Sequence, residues 1–235
     1  MVRGQAVRKP ITGISSMATR QVLAELAVTY EHLSGQPVVI ESVGGVDAAR
    51  RVQDGEAFDI VVLAEDALDR LAAAGRVDPA SRVAFARSGI GVAVAAGQPR
   101  PDLRTEAALR DSILSACSIG YSTGPSGRHL TRLFERWGIA DIIAARIVQA
   151  PPGVPVGDLV ARGDVALGFQ QLSELIHLPG IDVLGGLPSE IQFNTVFSAA
   201  ISCSSSESDT AKALLRFMVA PESEAVKLRH GVIPA

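Results

Sequence analysis

Three stretches of the chain combine small residues with hydroxyls in a way that suits the capture of an anion: Ser15-Ser16-Met17-Ala18-Thr19, Val43-Gly44-Gly45-Val46-Asp47 and Thr123-Gly124-Pro125-Ser126-Gly127-Arg128. Each follows a short apolar run and precedes a helical pattern, so each reads as a strand-to-helix turn. A helix start leaves its first N–H groups unpaired and carries about half a positive charge, which attracts negative ligands. Gly44, Gly45, Val46 and Gly127 would offer backbone N–H groups at close range. Ser15, Ser16, Thr123 and Ser126 would add hydroxyl donors. A site of this kind needs no metal and no cofactor. One such turn is an ordinary feature of a folded chain, whereas three alike point to a shared ligand.

Further polar residues stand where they can join them. Arg128 follows the third turn, and its planar guanidinium matches a carboxylate bidentately. Gln170 and Gln171 close the apolar run from Val165 to Phe169, where amides at the end of a buried strand meet a ligand or a loop backbone. Asp47, Glu65 and Asp66, acids near strand ends, and His129 beside Arg128 are the candidates for acid–base work, with Asp47, Glu65 and His129 the expected proton carriers should the site do chemistry; Arg20 and Arg50 are weaker candidates than Arg128 for pairing a carboxylate. Motifs for other chemistries are absent. There is no G-x-S-x-G elbow, phosphate loop, H-E-x-x-H or G-x-G-x-x-G, and Ser126 with His129 at i, i+3 is poorly placed for a nucleophile–base pair. Cys117 and Cys203 lie far apart, and His32, His129, His177 and His230 are scattered, so neither a disulfide framework nor a metal site is expected.

The elements that position these residues follow from the apolar pattern. Strands are expected at Pro10 to Ile14, Pro37 to Glu41, Asp59 to Leu63, Ser118 to Tyr121 and Thr195 to Ser202. Helices are expected at Met17 to His32, Ala48 to Asp54, Glu65 to Ala74, Glu106 to Leu114, Ser126 to Trp137 and Ser208 to Val219. Ser15 or Ser16 is the natural N-cap of the first helix. Val83 to Ala96 carries no helix cap and reads as a long strand crossing between two lobes. The alternation predicts an α/β protein with mixed, mostly parallel sheets, divided into a lobe of residues 9–85 plus 195–235 and a lobe of residues 86–194, with the site in the cleft between them.

Composition sets the outer limits. Of 235 residues, 47% are hydrophobic and 20% charged, enough apolar side chain for two small cores and too much for a disordered chain. A net charge of −3 with no basic run, and only 4% aromatic residues, argue against a nucleic-acid partner. No apolar stretch approaches the roughly 20 residues that span a bilayer, so no membrane insertion is expected. Arg3, Arg8 and Lys9 precede a strand-like run rather than the apolar core of an export signal. The location is therefore expected to be periplasmic if a signal peptide has been removed and cytoplasmic if the sequence is whole.

Ile14 to Thr19, Val43 to Val52, Gly55 to Val62, Gly124 to Gly127 and Ala166 to Gln171 together resemble the type II periplasmic solute-binding proteins of the molybdate-binding class. The resemblance covers nearly the whole chain from Lys9 onward and lies more in the order of the segments than in any one of them. It implies a two-lobe fold with a central cleft, a monomer closing on an oxyanion or small organic anion, and an ABC permease as partner. It also implies that Ser16 donates its hydroxyl and Ser126 its backbone N–H to the ligand. Val154 or Pro155 falls near a further amide donor. Gly45 stands where molybdate binders carry a serine, and Gln171 where they carry a tyrosine, so a small carboxylate is expected in place of molybdate. Aconitate isomerases resemble the same group, which gives the alternative expectation of an isomerase moving a proton on an unsaturated tricarboxylate.

Overall fold

The computed structural model describes residues 8–235, so the reading of Arg3 in the basic first stretch lies outside the described residues. The chain opens with β1 (Ile11–Ser16), α1 (Arg20–Ser34), β2 (Val38–Val43), α2 (Gly45–Gln53), β3 (Ile60–Ala64) and α3 (Glu65–Ala73). β4 (Val83–Ala95) leads to α4 (Glu106–Ser115), β5 (Ile119–Tyr121), α5 (Pro125–Arg136), α6 (Ala140–Ile143) and β6 (Ile147–Gln149). Then come α7 (Val156–Ala161), β7 (Leu167–Gln171), α8 (Leu172–Leu175), β8 (Ile181–Gly186), β9 (Asn194–Ile201), α9 (Ser208–Val219), α10 (Glu224–Arg229) and β10 (Ile233–Pro234).

The strands form one mixed sheet in the order β2-β1-β3-β9-β4-β7-β5-β6, with β8 and β10 also on β4. Its two wings are parallel, β1 pairing with β2 and β3, and β5 with β6 and β7. Its centre is antiparallel and built on β4. Val83 to Gly89 pair with β9, whereas Ile90 to Ala93 pair with β7, so the long strand changes partner between Gly89 and Ile90. β4 thereby belongs to both halves of the sheet.

Both faces of each half are covered, which is why β3 and β7 are buried at every position. In the first half, Leu23 and Leu26 of α1 and Leu214 of α9 pack on Phe85 and Phe197. On its other face Ala48 of α2 and Leu68 of α3 pack on Ile14 and Val61. In the second half Leu109, Leu130 and Phe134 cover Ile90 and Phe169, while Val156 and Val160 of α7 form a smaller cluster behind. Buried Asp59 ties β1 to β3 by accepting from the Thr12 N–H and hydroxyl, both at 2.9 Å, and from the Ser205 hydroxyl at 2.7 Å. Burial pushes that carboxyl up, but these hydrogen bonds outweigh it and hold Asp59 below its ordinary range.

The turns differ from expectation by a few residues, with consequences for the site. β1 runs on to Ser16, and a single 3-10 turn, Met17–Thr19, intervenes before α1. Neither serine caps it: Ser15 shares a hydrogen bond with the Ser42 hydroxyl at 2.7 Å, and Ser16 makes no side-chain cap. α2 begins at Gly45 rather than Ala48, which brings the glycines onto the helix start itself.

Candidate functional site

The carboxyl ends of β1, β2, β3, β5 and β7 open into one cavity of about 300 Å3 between the two halves of the sheet. In an α/β sheet, strand ends of this kind are where ligands lodge, and the volume is at the small end for such sites. Ser16, Gly44, Gly45 and Val46 line it from the first half, and Thr123, Ser126, Arg128, Val154, Pro155, Gln170 and Gln171 from the second. The three turns picked out in the sequence therefore meet at one hollow. They meet closely: a Cβ on Gly44 would stand 3.3 Å from the Gly153 nitrogen in the loop opposite.

Several donors face this cavity unspent. The Ser16 hydroxyl is buried and has no hydrogen-bond partner among the described residues, although a hydroxyl left so normally costs about 1–3 kcal/mol. No side chain caps α2 or α5, so the first N–H groups of both helices are free of protein acceptors. Gln171 donates its amide to Thr195 Oγ1 at 2.7 Å and leaves its other amide atom buried without a partner. Because a hydroxyl can accept or donate, that amide can turn either end toward a ligand. Gln170 is engaged at both ends: its oxygen accepts from the Val156 N–H at 2.8 Å and its nitrogen donates to Glu174 Oε2 at 2.5 Å.

Charge in the cavity is uneven. Asp66 lies between two guanidiniums, accepting from Arg128 at 3.0 Å and from Arg70 at 3.2 Å. These pairs are about half exposed, where an ion pair is worth little, so an incoming anion can replace Asp66 on Arg128 at small cost. Glu174 is the fourth charged residue on the wall. Burial pushes its carboxyl up to about 7, against the lowering effect of the Gln170 amide.

That shift has a measurable consequence. Below the ordinary glutamate range the group is protonated whether the chain is folded or not. As pH rises toward 7 the unfolded chain gives up the proton and the folded one keeps it, so stability is lost, on the order of 2–3 kcal/mol. Replacing Glu174 by Gln is expected to flatten the profile of unliganded Tm against pH between about 4.5 and 7.5. Parallel profiles for the two proteins would mean that the carboxyl ionises normally.

Other expected site residues lie elsewhere. Ser15 is engaged with Ser42, and Gly127 does not face the cavity but packs against the Ser122 carbonyl, where a Cβ would come within 1.7 Å. Of the acids singled out in the sequence Asp66 lines the hollow, held by Arg128 and Arg70, whereas Asp47, Glu65 and His129 do not. Asp47 is paired with Arg50 and Glu65 with Arg82, on the outer surface. His129 bonds the Ile191 carbonyl at 2.9 Å and stacks on Phe193. Charged residues in a first helical turn are held there by local ion pairs, which their types alone could not distinguish from a catalytic placement. Glu174, the other carboxyl that reaches the cavity, went unnoticed because it sits on a helix of only four residues. The one signal for it was its place four residues after Gln170.

The chain matches the family described as bacterial extracellular solute-binding protein over residues 11–233. A curated relative from Pseudomonas sp., an aconitate isomerase, is 36% identical over 230 residues, covering 95% of this chain and 87% of its own. Among solved structures, the periplasmic molybdate-binding protein of Azotobacter vinelandii superposes with a TM-score of 0.78 at 23% identity, covering 95% of this chain and 98% of its own. The sulfate-binding protein of Mycobacterium tuberculosis H37Rv does so with a TM-score of 0.78 at 16% identity, covering 97% and 88%. At these identities the two structures establish the periplasmic-binding-protein fold.

Proposed function

The chain belongs to the bacterial extracellular solute-binding protein family, and from that premise we propose that it binds a small organic anion, a di- or tricarboxylate, in the cavity between the halves of its sheet. The observation that carries this reading is the buried, unpartnered Ser16 hydroxyl at the hollow onto which the uncapped starts of α2 and α5 open. Gly45 and Gln171 occupy two lining positions, and Ala18, Leu63, Ala67 and Phe197 add apolar wall. Such a lining suits an anion that carries a carbon skeleton better than molybdate or sulfate.

In this reading residues 9–85 with 195–235 form one lobe and 86–194 the other, closing on the ligand as a monomer. β4 and the return into β9 would act as the hinge. Delivery to an ABC permease on the outer face of a membrane is the role that family membership supports. Among the described residues no helix is long and apolar enough to cross a membrane.

A second reading is favoured by the Pseudomonas relative. The same cavity would hold an unsaturated tricarboxylate such as aconitate and move a proton along its allylic carbons, chemistry that needs anion clamps and one acid–base group.

A thermal-shift panel tests the primary reading. At about 100 times Kd a bound carboxylate adds ~2.7 kcal/mol, roughly 5–10 °C in Tm for a chain of this length. Di- and tricarboxylates are expected to give shifts of that size, and molybdate and sulfate little. Strong stabilisation by molybdate alone would reverse the choice of ligand.

A further inference from the structure

We propose that Glu174 is the proton carrier of this cavity, acting on a carbon beside a carboxylate of a bound unsaturated polycarboxylate; the proposal rests on the anion-binding reading of the same site. The geometry around it is specific. The Val156 N–H can only donate, so it fixes the Gln170 oxygen at 2.8 Å and forces the Gln170 amide nitrogen toward Glu174 Oε2 at 2.5 Å. Oε2 is thus committed as an acceptor, and a proton on this carboxyl must sit on Oε1. That oxygen makes no hydrogen bond among the described residues, on a side chain that lines the cavity. The Gln170 amide therefore orients the acid and selects which oxygen exchanges protons.

The surroundings suit exchange in both directions. Among the described residues no cation bonds Glu174: Arg70 and Arg128 line the same hollow but are engaged with Asp66. Of the strands packed on α8, β4 carries Arg87 and β8 carries Asp182, whose carboxyl accepts from the Gly97 N–H. Beyond the end of α8, His177 pairs with His230 at 3.0 Å, away from the cavity wall. A carboxyl held near neutrality by burial both takes and returns a proton at working pH.

The step balances without a cofactor. Glu174 Oε1 takes a proton from the methylene carbon of the ligand, and the freed C–H pair forms a new double bond to the central carbon. The original double-bond pair moves to the far carbon, with charge spread into its carboxylate, where the Ser16 hydroxyl and the free N–H groups of α2 and α5 stabilise it. Glu174 then returns a proton to the far carbon, and because Oε1 makes no other hydrogen bond its proton can exchange with solvent between the two transfers. Composition is unchanged, and nothing is oxidised or reduced.

The test uses propene-1,2,3-tricarboxylate as substrate probe in heavy water, and the saturated propane-1,2,3-tricarboxylate as binding probe. Wild type is expected to incorporate deuterium, and Glu174→Gln to slow incorporation by about 100-fold or more while still binding the saturated probe. Glu174→Asp keeps the acid but shortens its reach, and is expected to fold and bind while slowing exchange by about tenfold or more. Exchange at the wild-type rate in either variant overturns the proposal. Binding by wild type without any exchange also overturns it and leaves the anion-binding reading standing. Failure of wild type to bind either tricarboxylate removes both.

Discussion

Gly127→Ala is expected to destabilise the protein by about 3 kcal/mol or more, read as a lowered midpoint of urea unfolding. An added Cβ would stand 1.7 Å from the Ser122 carbonyl oxygen, 2.9 Å from its carbon and 3.0 Å from the Tyr121 ring. The first two are backbone atoms and cannot swing aside, so α5 must move away from the turn that precedes it. That displacement carries the N–H of Ser126 and the base of Arg128 with it, so ligand affinity is expected to fall together with stability. Alanine is ordinarily the better helix former, which makes the sign of the effect diagnostic. A midpoint equal to or above wild type would show that α5 has room the structure does not give it.

Ser16→Ala is expected to act in the opposite sense on the two properties. The hydroxyl is buried and unpartnered, so its removal should leave unliganded stability unchanged or raise it by about 1 kcal/mol. A hydrogen bond to a charged ligand is worth about 1.5–3 kcal/mol, so carboxylate affinity should fall by roughly 10- to 100-fold. Ser198 supplies the control. Its hydroxyl is also buried without a partner, but it lies outside the cavity wall, and Ser198→Ala should leave affinity untouched. A Ser16 variant that loses stability and keeps its affinity would show that the hydroxyl serves the fold.

Much of this site was legible because the chemistry was carried by backbone turns. Glycine and serine at the end of an apolar run mark a strand-to-helix junction, and the parallel order of the wings brings such junctions to one edge of the sheet. Ser16, Gly44, Gly45 and Ser126, which line the cavity, were singled out that way, and Gln170 and Gln171 as amides at the end of a buried apolar run. The long strand was legible too, since Val83 to Ala95 is apolar with no helix signal, but its change of partner at Gly89 depends on pairings far away in sequence. β8 was not among the expected strands: it is only half-buried and ends in Gly185, at φ +114°, and Gly186, so it lacks a strong apolar pattern. Side-chain function was the least legible. Whether Asp47 or Glu65 faces a ligand or an arginine is decided by neighbours such as Arg50 and Arg82, and Gly127 looks like a ligand-facing glycine until the Ser122 carbonyl is seen against it.

The central claim is that N–H groups at the starts of α2 and α5 converge on one anion. Amide chemical-shift changes during titration with propane-1,2,3-tricarboxylate test it most directly. The largest changes are expected together at Gly45, Val46 and Ser126, saturating with one dissociation constant. Changes confined to one of the two helix starts, or centred on residues away from both, would contradict it.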